Sequence, residues 1–356
     1  MTKVHQFADF ANNQIFVGID VHKKSWSVSL YHEQKYLRTF TQPPSVEALE
    51  KFLRRDFPNA DYQCGYESGF CGFWIQREFE KKGIKCKVVH PADIPRSQKY
   101  KTAKTDKIDS KSIAQALSSG TVTSVYIPDQ ETESYRSLLR QRNRLQGDLR
   151  RCKQRIKSLL CQFGLPVPEC FSKSWSQKFI VWLKTFAIEQ SVTRITLNHM
   201  IEQMELLRGS FLKINKDIRQ LQMKGNNQSL MTNLTSVPGV GPLTALTLIT
   251  EIVDIRRFNS FRQLNSFVGL YPMEHSSGDH EHKGNITIRQ NKWLRRLLIE
   301  SAWTAIRHDP ALLLTYQEWK KRMTPKRAII KVARKLLSRI RYVWLHETTY
   351  EKGLIK

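Results

Sequence analysis

Four carboxylates stand out in a chain that is otherwise strongly basic. Asp20 closes the apolar run Ile15-Phe16-Val17-Gly18-Ile19, and Glu67 closes Tyr62-Gln63-Cys64-Gly65-Tyr66. Asp106 and Asp109 are three apart at the start of a helical pattern and so share a face. Around them the sequence holds 58 Lys and Arg against 32 Asp and Glu, a formal net charge of +26. Carboxylates at strand ends and on one helix face, in a protein built to meet polyanions, point to bound Mg²⁺ and phosphodiester chemistry. Two ions about 4 Å apart would stabilise the attacking and leaving oxygens of a phosphoryl transfer. Without metal, four such charges close together would repel. Taken singly, Asp109 also reads as a helix-surface charge and Glu67 as a strand-end residue.

Two further segments carry chemistry. Ser236-Val237-Pro238-Gly239-Val240-Gly241-Pro242 lies between helical stretches at Leu230–Thr235 and Leu243–Ile252 and reads as a helix-hairpin-helix turn. Gly239 and Gly241 would let the backbone approach a phosphate, with the next helix start holding it. An ordinary helix–helix turn has the same composition. Further on, Gly269–Gly278 reads as a loop containing Ser276 and Ser277, followed by Lys283, Arg289, Lys292, Arg295 and Arg296, which could hold phosphates. A serine hydroxyl attacks a phosphodiester only when it is activated and the charge on phosphorus is neutralised. By itself, Ser277 could equally be a turn residue. His275, Asp279, His280 and His282 sit in this loop, where a solvated or phosphate-facing role is expected over a metal site. The six cysteines form no C-x-x-C pair, which argues against zinc and a disulfide framework; Cys64 and Cys86 read as packing residues.

These residues need elements to hold them. Ile15–Val21, Ser25–Tyr31 and Lys35–Thr41 are rich in β-branched and aromatic residues and read as three strands. A helix from Ser45 to Asp56, a strand at Tyr62–Tyr66, a helix at Phe73–Lys82 stopped by Gly83, a strand at Lys85–His90 and a helix at Asp106–Ser118 complete a mixed α/β pattern. This is the order of an RNase H-like fold. From about Asp129 the pattern is helical. Thr132–Phe163 and Thr193–Met223 have sparse apolar seams that imply antiparallel pairing or dimerisation, with Gly164–Pro168 as a break and Gly225–Gln228 as a linker.

At 356 residues, two or three domains are expected. No apolar run approaches the roughly 18–20 residues that span a bilayer, and the N-terminus lacks a signal-peptide core, so a cytosolic, DNA-associated protein without a membrane partner is expected. Basic residues spread along the whole chain favour nucleic acid as the polyanionic partner.

Together these segments resemble the DEDD-type insertion-sequence transposases, a family that includes Piv-type DNA invertases and bridge-RNA-guided recombinases. Gly18-Ile19-Asp20-Val21-His22-Lys23, Glu67-Ser68-Gly69 and Lys104-Thr105-Asp106-Lys107-Ile108-Asp109 are similar to the family's RuvC-like acidic motifs. Ser236–Pro242, Phe267–Pro272, Ser276-Ser277-Gly278 and Leu294–Leu298 are similar to its C-terminal domain. The resemblance implies a RuvC-like domain at 1–128, a coiled-coil or dimerisation segment at 129–224, and a serine-containing transposase domain at 225–356. It also implies that Ser277, with Ser276 as rival, attacks DNA to form a phosphoserine link. Asp20, Glu67, Asp106 and Asp109 would act through Mg²⁺, in a site assembled within a homodimer or homotetramer. Some members pair a structured guide RNA with DNA, so that base pairing supplies sequence choice. Asp279-His280-Glu281-His282 departs from the basic or small residues often found there, which leaves the loop's phosphate contacts open. Other readings are an invertase acting without RNA, a RuvC-like junction nuclease with Ser277 structural, and a non-catalytic nucleic-acid-binding regulator.

Overall fold

The computed structural model describes residues 11–94, 106–171, 175–221, 226–277, 280–286 and 291–352, with side chains except at 106–107, 226, 272–277 and 280–286. The chain divides into two compact units, Met1–Ile127 and Pro128–Lys356.

In the first unit, β1 (Gln14–Val21), β2 (Trp26–His32) and β3 (Lys35–Gln42) form an antiparallel meander. Helix α1 (Val46–Asp56) begins where the Ser45 hydroxyl accepts the Ala48 N–H at 3.2 Å. Strand β4 (Asp61–Glu67) then lies parallel to β1, helix α2 (Trp74–Lys81) ends before Gly83, and β5 (Lys85–Val89) lies parallel to β4. Helix α3 (Asp106–Ser118) completes the unit's main elements. The sheet order is β3-β2-β1-β4-β5, with β1 at the centre.

Strand alternation sorts the two faces. Ile15, Val17 and Ile19 are fully buried on one face, with Leu49 and Leu53 of α1 and Ile75 and Phe79 of α2. Phe16 points the other way, into a cluster with Ile113, Ala114 and Leu117 of α3. Burial of each large apolar side chain contributes about 1.5–3 kcal/mol, so a one-residue slip of β1 would be strongly opposed. A mixed five-stranded sheet in this order, with helices on both faces, fits an RNase H-like fold.

The second unit starts with α4 (Gln130–Gln162), whose cap Asp129 accepts the Thr132 N–H at 2.7 Å. Helix α5 (Gln177–Thr185) leads to α6 (Ser191–Gln220). Arg142 meets Asn215, whereas Cys152 meets Met200, so α4 and α6 run antiparallel. Cys152, Ile156 and Leu160 pack on Leu197, Ile201 and Met204, and Phe179 and Leu183 of α5 close that core. Next come α7 (Asn226–Thr235), α8 (Pro242–Ile252), α9 (Phe261–Val268), β6 (Pro272–Ser277), β7 (His280–Ile286), α10 (Lys292–His308), α11 (Pro310–Arg322) and α12 (Pro325–His346). Leu139 of α4 and Ile214 and Ile218 of α6 join Leu246, Ile249, Leu298 and Leu336 in a second core. The lower halves of the helix pair are thus walls of the C-terminal core. Among the described residues, no helix is long and apolar enough to cross a membrane.

Three segments differ from their sequence reading. Gln177–Thr185 is a helix where none was expected; Ser176 caps it, and Phe179, Ile180 and Leu183 are buried. Asn226–Gln228, expected as linker, begins α7. The Gly269–Gly278 loop contains β6, paired antiparallel with β7 in the register Ser276↔Glu281 and Ser277↔His280. Its residues Pro-Met-Glu-His-Ser-Ser lack alternating apolar character, so the cross-strand ladder that makes them a strand leaves no local mark.

Candidate active site

Helix α3 lies unusually close to the sheet. Gly18 of β1 is paired in register with Gly65 of β4. A Cβ at Gly18 would stand 2.1 Å from the Ser110 carbonyl oxygen and 2.4 Å from the Ala114 nitrogen; one at Gly65 would stand 2.8 Å from the Leu117 side chain. The two glycines open a trough across the central strands, and the backbone of α3 fills it. The buried Ser110 hydroxyl then bonds Ser29 at 2.9 Å and Ser27 at 3.2 Å, tying α3 to β2 as well.

This docking sets the acids. Asp20 is two residues beyond Gly18 and on the same face of β1. Glu67 is two beyond Gly65 on the same face of β4, and Asp109 immediately precedes Ser110. All three line one cleft of about 290 Å³. Asp106 is in the first turn of α3, one turn before Asp109; its side chain is outside those described. His22, also lining the cleft, places Nε2 3.2 Å from Asp20 Oδ2. Ser68 donates its N–H to Val89 O at 2.8 Å, and the Tyr66 hydroxyl donates to Gly72 O at 2.9 Å, so the loop after Glu67 is pinned at both ends. Burial pushes the Tyr66 phenol upward, keeping it a donor. Burial likewise raises the Cys71 thiol at the cleft wall, so it stays protonated. Phe70, 67% exposed, also lines the cleft.

Among the described residues, no three His, Cys, Asp or Glu side chains form a group close enough to hold an ion together. The donor chemistry nevertheless fits Mg²⁺. The cleft offers hard carboxylate oxygens from three elements, and Mg²⁺ is commonly held by one or two carboxylates with waters and substrate phosphates rather than in a protein cage.

The C-terminal candidates fall on several elements. Ser277 is the last residue of β6, and Ser276 precedes it; Lys283 lies in β7. Arg289 is outside the described residues. Lys292 opens α10, and Arg295 and Arg296 follow, with Arg296 donating to Asn143 Oδ1 of α4 at 3.0 Å. Gly241 is the exposed N-cap of α8, with nothing within 4 Å of a built Cβ. Gly239 differs: its φ is +82°, and a Cβ would stand 2.2 Å from Ser301 O of α10. Its lack of a side chain is used to seat α10. The start of α10 is anchored by Asn291, which caps Leu294 N at 3.1 Å and donates Nδ2 to Glu251 Oε2 at 2.9 Å. Buried Glu251 also takes a bidentate pair from Arg140, at 2.8 and 2.9 Å.

Sequence reasoning passed over His22, Ser110 and Glu251. The first had a signal, the i, i+2 spacing from Asp20 on a strand. Ser110 acts through Ser29, 81 residues away in sequence, and Glu251 through Arg140 and Asn291, 111 and 40 away, and nothing local marks them.

A central strand, its parallel neighbour and a helix docked across them, each bringing an acid to the lining of one cleft, fit an RNase H-like domain. Residues 17–164 match the transposase model of the DEDD IS110 type, and residues 231–317 match the transposase model of the IS116/IS110/IS902 family. The chain is 29% identical over 307 residues to y4qE of Sinorhizobium fredii, provisionally named a transposase, covering 84% of this chain and 73% of that one. It is 29% identical over 241 residues to the transposase for insertion sequence element IS1111A of Coxiella burnetii, covering 67% and 64%. It is 23% identical over 295 residues to the transposase for insertion sequence element IS1533 of Leptospira borgpetersenii, covering 82% and 85%. The chain belongs to the DEDD-type insertion-sequence transposase family.

Proposed function

We propose that the protein cuts and rejoins DNA of a mobile insertion sequence, with Asp20, Glu67, Asp106 and Asp109 as an Mg²⁺-binding set and Ser277 as nucleophile. The observation that carries this reading is the convergence of Asp20, Glu67 and Asp109, from three elements, on one cleft. Bound Mg²⁺ would supply charge neutralisation at the scissile phosphate and its departing oxygen. The acids hold that charge in place, and His22 steadies the Asp20 carboxylate. The Ser277 hydroxyl oxygen forms a bond to phosphorus, the bond from phosphorus to the departing strand's oxygen breaks, and the serine proton passes through solvent to that oxygen, leaving a strand hydroxyl. Rejoining is the reverse attack by a strand hydroxyl on the phosphoserine, returning the proton to Ser277. Gly239, Gly241, Lys283, Arg289, Lys292, Arg295 and Arg296 belong to the phosphate-binding part of this reading, with the turn at Ser236–Pro242 as a helix-hairpin-helix element.

A structured guide RNA supplies the sequence choice, and the +26 charge suits binding of two nucleic acids. The chain works as a homodimer or homotetramer through the coiled-coil segment 129–224, between the acidic domain 1–128 and the serine domain 225–356. Exposed Val192, Ile195, Leu206 and Leu212 on α6 support self-association, since Leu206 leaves 74% of its surface open.

The test incubates the protein with element-end DNA and Mg²⁺ and then denatures it. A covalent protein–DNA adduct, lost in Ser277→Ala and retained in Ser276→Ala, is expected. Free cleaved ends without an adduct would instead identify a junction nuclease. Sequencing of co-purified RNA checks the guide; the absence of one specific transcript would leave the DNA-only invertase reading.

A further inference from the structure

A second cleft lies wholly within the helical unit, and its chemistry is the opposite of the acidic one. About 810 Å³ in volume, it is bounded by α4, α6 and α10 and by Trp175. Arg142, Lys153 and Arg296 line it with the rings of Trp175, Phe211 and Trp293. Arg150 adds a fourth cation, and among the described residues Glu300 is the sole acid in the lining.

The cations are held by neutral groups. Arg142 donates Nε–H to Asn215 Oδ1 at 2.8 Å, and Asn215 is itself oriented by donating Nδ2 to Phe211 O at 2.6 Å. The Arg142 guanidinium lies 5.0 Å from the Phe211 ring centroid, and the Lys153 ammonium lies 5.4 Å from that of Trp175. Arg296 is braced on Asn143. Among the described residues, none of Arg142, Lys153 and Arg296 has a carboxylate partner in an ion pair. Burial, then the neighbouring Arg296, lowers the pKa of Arg142; burial, then Arg208, lowers that of Lys153. The fold therefore gathers cations against each other and partly out of water, an arrangement that an arriving anion relieves.

We infer that this cleft binds an unpaired stretch of a nucleic-acid strand, its phosphates on Arg142, Lys153 and Arg296 and an unstacked base against Trp175 or Trp293. The alternation of cation and ring is what strand binding without base pairing requires, because every base has a face to stack and every linkage a charge. At about 810 Å³ the cleft has the volume of a small-ligand pocket, which suits individual nucleotides of a strand. The inference rests on the nucleic-acid function proposed above, yet it needs neither Mg²⁺ nor catalysis.

Its test is fluorescence anisotropy of the full chain with labelled oligothymidylate and oligouridylate of about a dozen nucleotides, and with a duplex of equal length, over a series of salt concentrations. Wild type is expected to bind the unpaired strands. The R142Q/R296Q double variant should bind them at least about tenfold more weakly, with the slope of log K against log salt shallower by about 0.7 for each lost phosphate contact. Trp293→Leu should weaken binding and leave the slope unchanged. Arg142→Lys, which keeps the charge, should retain the slope and so controls for folding, along with the circular-dichroism melt. The deoxy and ribo arms identify which strand the cleft prefers. Unchanged strand binding in the folded double variant would overturn the inference, as would equal loss of duplex and strand binding. Failure of adduct formation with intact, cleft-dependent strand binding would count against the recombinase reading alone.

Discussion

Gly18 and Ser110 are in backbone contact. A methyl group on the first would stand 2.1 Å from the carbonyl oxygen of the second. Because Asp20 is two residues from Gly18 and Asp109 adjoins Ser110, this contact fixes the distance between strand acid and helix acid. Gly18→Ala should push α3 off the sheet, costing about 1–3 kcal/mol of stability as an overpacking change. DNA cleavage should fall by about a hundredfold or more, since small misplacements at a reacting centre are that costly. Gly65→Ala meets only the end of the Leu117 side chain and should cost less. Thermal melts and cleavage rates of the two variants compare directly.

Asp20→Asn separates metal binding from folding. Removing one of several carboxylates around a single cleft relieves like-charge repulsion, so the metal-free variant should be at least as stable as wild type. Mg²⁺ should raise the melting temperature of wild type by mass action and leave the variant unmoved. Chelation with EDTA should abolish the difference. An equal Mg²⁺-induced shift in both proteins would remove Asp20 from the metal set.

Glu251 tests the anchor of α10. It is 3% exposed and holds Arg140 and Asn291 together. Glu251→Gln leaves the Arg140 charge without its partner. Breaking a buried pair costs about 3–5 kcal/mol, but Arg140 is 49% exposed, so screening reduces the expected loss to about 2 kcal/mol. Denaturant unfolding measures it. Adduct formation should weaken as well, because Asn291 leads into the helix that follows the Ser277 hairpin.

Asp309 gives an acid-stability signature. Burial works against its charged form, but the Tyr350 hydroxyl, the Leu312 N–H and Arg339 outweigh burial and hold the carboxyl below its usual range. A depressed folded-state pKa contributes stability that is present above the unfolded value of about 3.9 and is lost as pH falls through the folded value. Wild type should therefore lose stability below about pH 4 more steeply than Asp309→Asn, which lacks this titration. Urea midpoints measured between neutral pH and the acid limit decide it.

The strands 14–42 and the helix at Asp106–Ser118 were legible because strand alternation and helical spacing are local. The same holds for Ser45 as a helix cap and Gly83 as a stop. Asp20, Glu67, Asp106 and Asp109 stood out as types in telling places, and the resemblance, more than their spacing, is what implies one task for them. Only the tertiary structure decided that Gly18 faces Gly65 beneath α3, that Ser110 ties α3 to β2, and that Arg142, Trp175 and Arg296 enclose one cleft. Those relationships join residues tens to more than a hundred positions apart, and the energies that select them arise from packing and desolvation after the chain has closed on itself. A sequence pattern records which face a residue prefers; it does not record what will be waiting on the other side.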